Sequence, residues 1–103
     1  AGCVFKNVEL AVSPAAAYLI DNNSEFIRFK NARFLPAGFL IDKAELKGLK
    51  IGGAMVSDRH GNFIIAGEGA KAEDISWIIN IIKNKISENY DIILEEEIQL
   101  ISG

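Results

Sequence analysis

The sequence predicts an α+β fold, a two-layer domain in which a mixed or antiparallel sheet carries helices packed on one face. Two patterns lead to this prediction. Near the C-terminal end, isoleucines recur at spacings of three and four residues, which is typical of an amphipathic helix. Earlier in the chain, short runs of β-branched and aromatic residues lie between turn signals, as strands do. The 103 residues, half of them hydrophobic, suffice for one domain with one core.

In the first half of the chain, the sequence predicts two strands and two helices. Residues 3–6 (CVFK) predict a short strand. A short helix is expected from Pro14, because proline suits a first helical turn and begins the segment PAAAYLID. The segment EFIRF at 25–29 alternates as a strand or a hairpin arm does, and the segment from Pro36 to the stop signal Gly48 predicts the second helix.

In the second half, LKIGGAMVS at 49–57 and NFIIA at 62–66 predict two strands joined by a turn at DRHG. The segment at 72–90 carries the isoleucine pattern and predicts a long helix whose acidic first turn suits the helix dipole. Lys71 is a poor N-cap for this helix. The segment DIILEEEIQLIS at 91–102 predicts a closing strand.

The net charge of −3 is unevenly distributed, because the segment from Arg28 to Lys50 contains six basic residues and only two acidic ones. This segment is either a solvated surface or a face that attracts a small anionic ligand. Nucleic acid is not an expected partner, since the basic segment is short and no nucleic-acid-binding motif accompanies it.

Three further classes of feature are not expected from the composition. Cys3 is the single cysteine, so it forms no internal disulfide and suits a reducing cytoplasm. No apolar run reaches the ~20 residues that span a bilayer, so no membrane partner is expected. No cysteine, histidine or carboxylate spacing typical of metal ligands occurs, so we expect no metal site.

Three stretches of the chain carry a resemblance to a known family. They are AGCVFKN at 1–7, PAGFLIDKAELKGLKIGGAMVSDRHGNFII at 36–65 and LEEEIQL at 94–100. In this order they resemble the signature stretches of the C-terminal domain of UDP-N-acetylenolpyruvoylglucosamine reductases, also called UDP-N-acetylmuramate dehydrogenases. The resemblance implies an oxidoreductase that uses FAD and NADPH to convert UDP-N-acetylenolpyruvoylglucosamine to UDP-N-acetylmuramate in peptidoglycan precursor synthesis.

The same resemblance implies a domain organisation. Residues 1–103 would form one domain, the substrate-side domain of a larger cytoplasmic flavoenzyme, with residues 8–35 as an insertion-like stretch. An upstream domain would bind most of the FAD, because this chain has no Gly-rich phosphate loop. The expected partners are therefore a UDP-sugar substrate and the FAD-binding domain, and the chain by itself is expected to be inactive.

Two residues near the start of the chain have roles implied by the resemblance. Cys3 stands where the family has its proton donor, and a thiol suits this role because it is mostly protonated at neutral pH yet far more acidic than an alcohol. The alternative is that Cys3 is a small buried hydrophobic residue. Gly2 is the cofactor-binding candidate, since glycine lets the backbone pass close to a flat ring.

Glu97 stands where the family has its second catalytic residue, a glutamate that stabilises or protonates an enol-like intermediate. This role requires a carboxyl that keeps or shares a proton, which burial favours. Alternation along a strand predicts that Glu95 and Glu97 point to one side and Glu96 to the other. Glu95 is the second candidate, and a solvated charge run on an edge strand is the alternative.

Three further residues are candidates for substrate binding. Lys6 and Asn7 resemble positions near the diphosphate or the sugar, with a surface lysine and a turn asparagine as the alternatives. Tyr18 is the candidate for a loop tyrosine that closes over the nucleotide in some family members; the alternative is that it packs in the core. His60 and Asn62 also match the family pattern. We expect His60 to be a turn residue that satisfies backbone carbonyls, and we assign a catalytic role to neither.

Two other functions are compatible with the sequence. One is a stand-alone module that binds small anions or nucleotide sugars through the basic segment from Arg28 to Lys50. The other is a dimerisation module whose interface is Trp77 together with the isoleucine face of the long helix.

Overall fold

The computed structural model describes residues 3–97, which form the α+β class of fold that the sequence predicts. This part of the chain contains three α-helices, namely α1 (Pro14–Asn22), α2 (Ala37–Lys43) and α3 (Ala72–Tyr90). The same residues contain five short strands, namely β1 (Val8–Glu9), β2 (Phe34–Leu35), β3 (Lys50–Ile51), β4 (Ala54–Val56) and β5 (Ile64–Ala66). Two 3-10 helices in this range cover Leu10–Val12 and Ser24–Phe29.

The strands form two small antiparallel sheets within the described residues. Strand β1 pairs with β2, with Val8 opposite Leu35. Strands β3, β4 and β5 form a meander in which β4 is central. Helix α3 packs across β3 and β4, so the helix-on-sheet arrangement expected from the sequence is confirmed.

Helix α3 buries the face that its sequence pattern predicts. Its buried residues are Ile78, Ile79, Ile82 and Ile86. At its start, Asp74 compensates for the poor N-cap, because its Oδ2 accepts hydrogen bonds from the backbone N–H groups of Lys71 at 3.0 Å and Gly53 at 3.2 Å. These bonds tie the first turn of α3 to the turn between β3 and β4.

Two predicted elements have a different structure. Residues 25–29 form a 3-10 helix and not a strand, because the side chain of Asn23 accepts a hydrogen bond from the backbone N–H of Glu25 at 3.0 Å and so favours a helical turn. Residues 49–57 form a hairpin and not one strand, because Gly52 has a φ of 56° and reverses the chain between β3 and β4.

The second predicted helix is shorter than expected. Helix α2 ends at Lys43, and Glu45 follows in the left-handed conformation with a φ of 60°. Gly48, the predicted stop signal, lies beyond the helix and donates its backbone N–H to the carbonyl of Val56 at 2.9 Å. The helix predicted from Pro14 is confirmed, with Ser13 Oγ accepting from the backbone N–H of Ala16 at 3.2 Å.

The two ends of the stretch 8–35 pair with each other, and residues between them pack into the core. Its first and last residues pair as β1 and β2, and an ion pair of 3.4 Å joins Arg33 to Glu9 beside them. Between these ends, Ala16, Ile20 and Phe26 are buried. The stretch therefore contributes to the core of the domain.

The predicted terminal strands, 3–6 and 91–102, meet in one antiparallel bridge between Phe5 and Glu96. Regular strand pairing does not extend further within the described residues, and residues from 98 onward lie outside them. The two ends of the described chain are therefore neighbours, joined by few backbone hydrogen bonds.

Candidate functional site

A pocket of about 860 Å³ lies where the two ends of the described chain meet. Its lining includes Cys3 and residues 5–9 at one end, residues 12–15 of the 8–35 stretch, and Asp91, Ile92, Ile93, Glu95 and Glu97 at the other end. The volume is in the range of pockets that hold substrates or cofactors, roughly 300–1,000 Å³. The lining includes four predicted site residues, Cys3, Lys6, Asn7 and Glu97.

Antiparallel pairing of the segments 3–7 and 95–97 brings the Cys3 thiol and the Glu97 carboxyl to this pocket. The backbone N–H of Glu97 donates to the carbonyl of Val4 at 2.8 Å, and that of Lys6 donates to the carbonyl of Glu95 at 2.9 Å. Glu97 thus lies opposite the residue next to Cys3, while Glu95 lies opposite Lys6. This register places Glu97 nearer than Glu95 to the thiol end of the pocket.

The three consecutive glutamates alternate as expected for extended backbone. Glu95 and Glu97 line the pocket, while Glu96 turns away and lies 3.2 Å from Lys83 Nζ of α3. Glu97 is exposed in this chain, so the burial expected for a proton-holding carboxyl is not provided by the described residues. Cys3 is half-buried, which differs from the fully buried hydrophobic role that was the alternative.

Lys6 and Asn7 line the pocket in different ways. Lys6 is exposed, and its amine has no carboxylate within 4.0 Å among residues 3–97. Asn7 Oδ1 accepts a hydrogen bond from the backbone N–H of Ala37 at 3.0 Å, at the start of α2. Asn7 therefore links the pocket wall to α2, and its amide oxygen already has a partner.

The remaining two predicted site residues are Tyr18 and Gly2. Tyr18 is 69% exposed on α1, which differs from the core-packing alternative, and it does not line the pocket in the described part of the chain. Gly2 lies outside the described residues.

Asn62 has a structural role that the sequence analysis missed. It is 5% exposed, and its Oδ1 accepts from the backbone N–H of Phe5 while its Nδ2 donates to the carbonyl of Phe5, both at 2.9 Å. Its own carbonyl accepts from the backbone N–H of Val4 at 2.9 Å. Leaving these buried groups of Phe5 without partners costs about 1–3 kcal/mol each. The match of Asn62 to the family pattern was the available signal.

The charge of the pocket is mainly negative. Lys6 is the one cation among its described lining residues, whereas Asp91, Glu95 and Glu97 are acidic, and Glu9 is paired with Arg33 outside the lining. Lys6 is therefore the one side chain of the described lining that would attract an anionic group of a ligand, whereas the acidic residues would repel it.

The basic segment from Arg28 to Lys50 does not form one cationic face. Three of its six basic residues are in ion pairs, which are Arg33–Glu9 at 3.4 Å, Lys43–Glu25 at 3.0 Å and Lys47–Asp42 at 3.1 Å. Arg28 lies over the rings of Phe29 and Phe39, at 5.1 and 5.4 Å from their centroids. These contacts favour the solvated-surface interpretation over a dedicated anion site.

The proposed dimer interface is not available as the sequence suggested. The isoleucine face of α3 is buried inside the chain against the sheet, and only Trp77, 60% exposed, remains at the surface. Within residues 3–97, no helix is both long enough and apolar enough to cross a membrane. The same residues contain no cluster of three or more potential metal-ligating side chains.

Comparison with known protein families shows which family this architecture represents. The model of the family described as "UDP-N-acetylenolpyruvoylglucosamine reductase, C-terminal domain" matches residues 1–101. The chain belongs to this family. The resemblance inferred from the three sequence stretches is therefore confirmed.

Individual relatives agree with this assignment. The chain is 40% identical over 98 residues to a protein of Bacillus velezensis and 39% identical over 98 residues to one of Bacillus subtilis, both named UDP-N-acetylenolpyruvoylglucosamine reductase. Each alignment covers 95% of this chain and 29% of the relative, so the chain spans less than a third of their length. A solved structure of UDP-N-acetylenolpyruvylglucosamine reductase from Thermus caldophilus has a TM-score of 0.57 and 32% identity, covering 95% of this chain and 26% of that one.

Proposed function

We propose that this chain is the substrate-side domain of a cytoplasmic, FAD- and NADPH-dependent UDP-N-acetylenolpyruvoylglucosamine reductase, which forms UDP-N-acetylmuramate for peptidoglycan and thereby supports cell shape and division. The observation that carries the proposal is that Cys3 and Glu97, from opposite ends of the described chain, line one pocket. The names of the relatives support the same reaction. Residues 1–103 would act together with an FAD-binding domain elsewhere in the protein.

The described residues fit one part of a flavin site. The pocket is open and carries exposed apolar side chains, Val12, Phe34 and Ile93, which suit contact with an aromatic ring or an apolar protein surface. The sequence lacks a Gly-rich loop that would hold the cofactor phosphates, so other parts of the protein would bind them. FAD, when bound and reduced by NADPH, supplies the hydride for the enolpyruvyl double bond.

Cys3 would donate the proton that completes the reduction. Its Sγ gives a proton to the carbon of the double bond that does not receive the hydride, and the resulting thiolate regains a proton from solvent. The half-buried position of Cys3 leaves the thiol accessible from the pocket.

Glu97 would stabilise the negative charge that develops beside the substrate carboxylate. Because Glu97 is exposed in this chain, the dry environment for this role would arise when substrate and the FAD-binding domain cover the pocket. Lys6 would contact the substrate diphosphate as a cation, and the Asn7 amide nitrogen would donate a hydrogen bond to it or to the sugar. Tyr18, on the 8–35 stretch, would close over the nucleotide.

Replacing the thiol tests the proposal. In the natural-length protein, we expect Cys3→Ala to lower the rate of substrate-dependent oxidation of the flavin by about 10²–10⁴-fold, the usual contribution of a positioned proton donor. Flavin reduction by NADPH, followed separately by absorbance, should be unchanged. Cys3→Ser retains a weaker proton donor, so its rate of flavin oxidation should fall between that of the wild type and that of Cys3→Ala.

Ser87→Ala, at an exposed position on α3, is the matched control and should oxidise its flavin at the normal rate. Normal turnover by the Cys3→Ala protein would remove the thiol from the mechanism. A wild-type protein that does not reduce UDP-N-acetylenolpyruvoylglucosamine would refute the proposed function itself.

A further inference from the structure

We propose that Asn62 is a positioning residue, whose buried side-chain amide hydrogen-bonds both the N–H and the C=O of Phe5 and thereby holds Cys3 and Lys6 at the pocket. This pair of hydrogen bonds is called the clasp below. The inference rests on the proposed function for its catalytic consequence, while its structural part stands on geometry alone. Asn62 does not line the pocket, so it would act through the segment 3–7.

The segment 3–7 has a strand partner on only one side. On the side of residues 95–97, the backbone N–H of Lys6 donates to the carbonyl of Glu95, and the carbonyl of Val4 accepts from the backbone N–H of Glu97. In an antiparallel bridge of this kind, the N–H and C=O of the central residue, Phe5, point to the opposite side. Some other group must therefore satisfy them.

The side chain of Asn62 satisfies both groups. It accepts from the N–H and donates to the C=O of Phe5, each at 2.9 Å, and its backbone carbonyl accepts from Val4. One residue thus takes the place of a neighbouring strand. An amide is required for this, because it offers one acceptor and a donor on the same plane, while aspartate when ionised only accepts and alanine does neither.

The clasp has a direct consequence for the candidate catalytic residue. Phe5 is buried and fixed between Asn62 and the 95–97 segment, so the residues on either side of it inherit a defined position. Cys3 precedes the clasped peptide by two residues and Lys6 follows it directly. Loss of the clasp would let the 3–7 segment shift relative to Glu97, and a displacement of about 1 Å at a reacting group can cost on the order of a hundredfold in rate.

The experiment uses the natural-length protein and compares Asn62→Ala with Asn80→Ala, an equivalent change at an exposed position on α3. Peptide-resolved hydrogen exchange and the alkylation rate of Cys3 by iodoacetamide measure the clasp without reference to catalysis. In Asn62→Ala, we expect exchange at residues 4–5 to accelerate at least about tenfold and Cys3 labelling to change, while exchange in α3 stays as in the wild type. Asn80→Ala should leave all three unchanged.

Separate half-reactions measure the catalytic consequence. Asn62→Ala should reduce its flavin with NADPH at the wild-type rate, whereas oxidation of that flavin by UDP-N-acetylenolpyruvoylglucosamine should slow by about tenfold to a hundredfold. An equal fall in both half-reactions would show general structural damage and overturn the positioning role. Unchanged exchange at residues 4–5 would overturn the clasp.

Two outcomes distinguish this inference from the proposed function. If the wild-type protein does not turn over the substrate, the proposed function fails, while exchange and alkylation still decide whether Asn62 holds the segment. If Asn62→Ala does not fold, the wild-type protein itself provides the test. Its Phe5 amide must then exchange as slowly as the buried amides of α3, and exchange at the rate of exposed loop amides would refute the clasp.

Discussion

Helix α3 keeps its buried face in place through hydrogen bonds within its own backbone, whereas the pocket segments 3–7 and 95–97 depend on each other and on Asn62. In α3, the pattern that buries Ile78, Ile82 and Ile86 is local, because residues three and four apart lie on one face of any helix. In the pocket, the hydrogen bonds join residues far apart in the chain. We therefore expect changes in the buried face of α3 to lower the stability of the domain, and changes in the pocket segments to affect mainly the proposed activity.

The largest expected effect tests the stability side of this comparison. Ile82→Ala removes a fully buried side chain from α3, and we expect it to lower the free energy of unfolding by about 2–5 kcal/mol. Trp77→Ala, on the same helix but 60% exposed, should cost less than about 1 kcal/mol. Urea denaturation of both variants measures the difference. Similar losses in the two variants would show that α3 is not anchored by its isoleucine face.

The second prediction tests the activity side and decides between the two pocket glutamates. Glu97→Gln keeps the shape of the side chain but cannot carry an acidic proton, so we expect turnover to fall by about tenfold to a hundredfold. Glu95→Gln, two residues away on the same wall of the pocket, should have a smaller effect. Both variants should unfold at the same urea concentration as the wild type, since both side chains are exposed. A larger loss in Glu95→Gln would transfer the proposed role to Glu95.

The smallest expected effect concerns the contact between α3 and the β3–β4 turn. Hydrogen bonds from the backbone N–H groups of Lys71 and Gly53 hold the pKa of Asp74 below its ordinary value of about 3.8. A carboxyl whose pKa is lower in the folded state stabilises the protein above the unfolded-state pKa, and this contribution is lost as the pH falls through the folded-state pKa.

We therefore expect Asp74→Asn to be less stable than the wild type at neutral pH and the difference to shrink as the pH falls below about 3.8. Glu73→Gln, its neighbour in the first turn, is the matched control and should show little of this pH dependence. Urea denaturation at a series of pH values measures both variants. A difference that is constant with pH would mean that the Asp74 charge does not stabilise the start of α3.

The elements predicted correctly are those with strong local signals. The isoleucine spacing predicted α3, and proline at a first turn predicted α1. The strand predicted at 25–29 was wrong because alternation in five residues is a weak signal, and the side chain of Asn23 favoured a 3-10 turn. The hairpin at Gly52 was missed because two glycines within an apolar run are compatible with either a bulge or a reversal.

The candidate site was predicted in part. Resemblance to the family identified Cys3, Lys6, Asn7 and Glu97, and the structure brings these four to one pocket. Resemblance did not reveal the clasp by Asn62, since a buried asparagine in a turn has no distinctive pattern of its own. It also did not reveal that Glu97 is exposed, because the burial of an end segment depends on what packs over it.

The sequence by itself determined the α+β class, the long amphipathic helix and the family to which the chain belongs, because these depend on residue types at short spacings. Only the tertiary structure decided which distant backbone groups pair. Phe5 and Asn62 are 57 positions apart, and they meet only when the turn before β5 packs against the 3–7 segment. The spacing of residue types along the chain does not encode such a contact. The tertiary structure determines the partners, because every buried N–H and C=O must find a hydrogen-bond partner once the core excludes water.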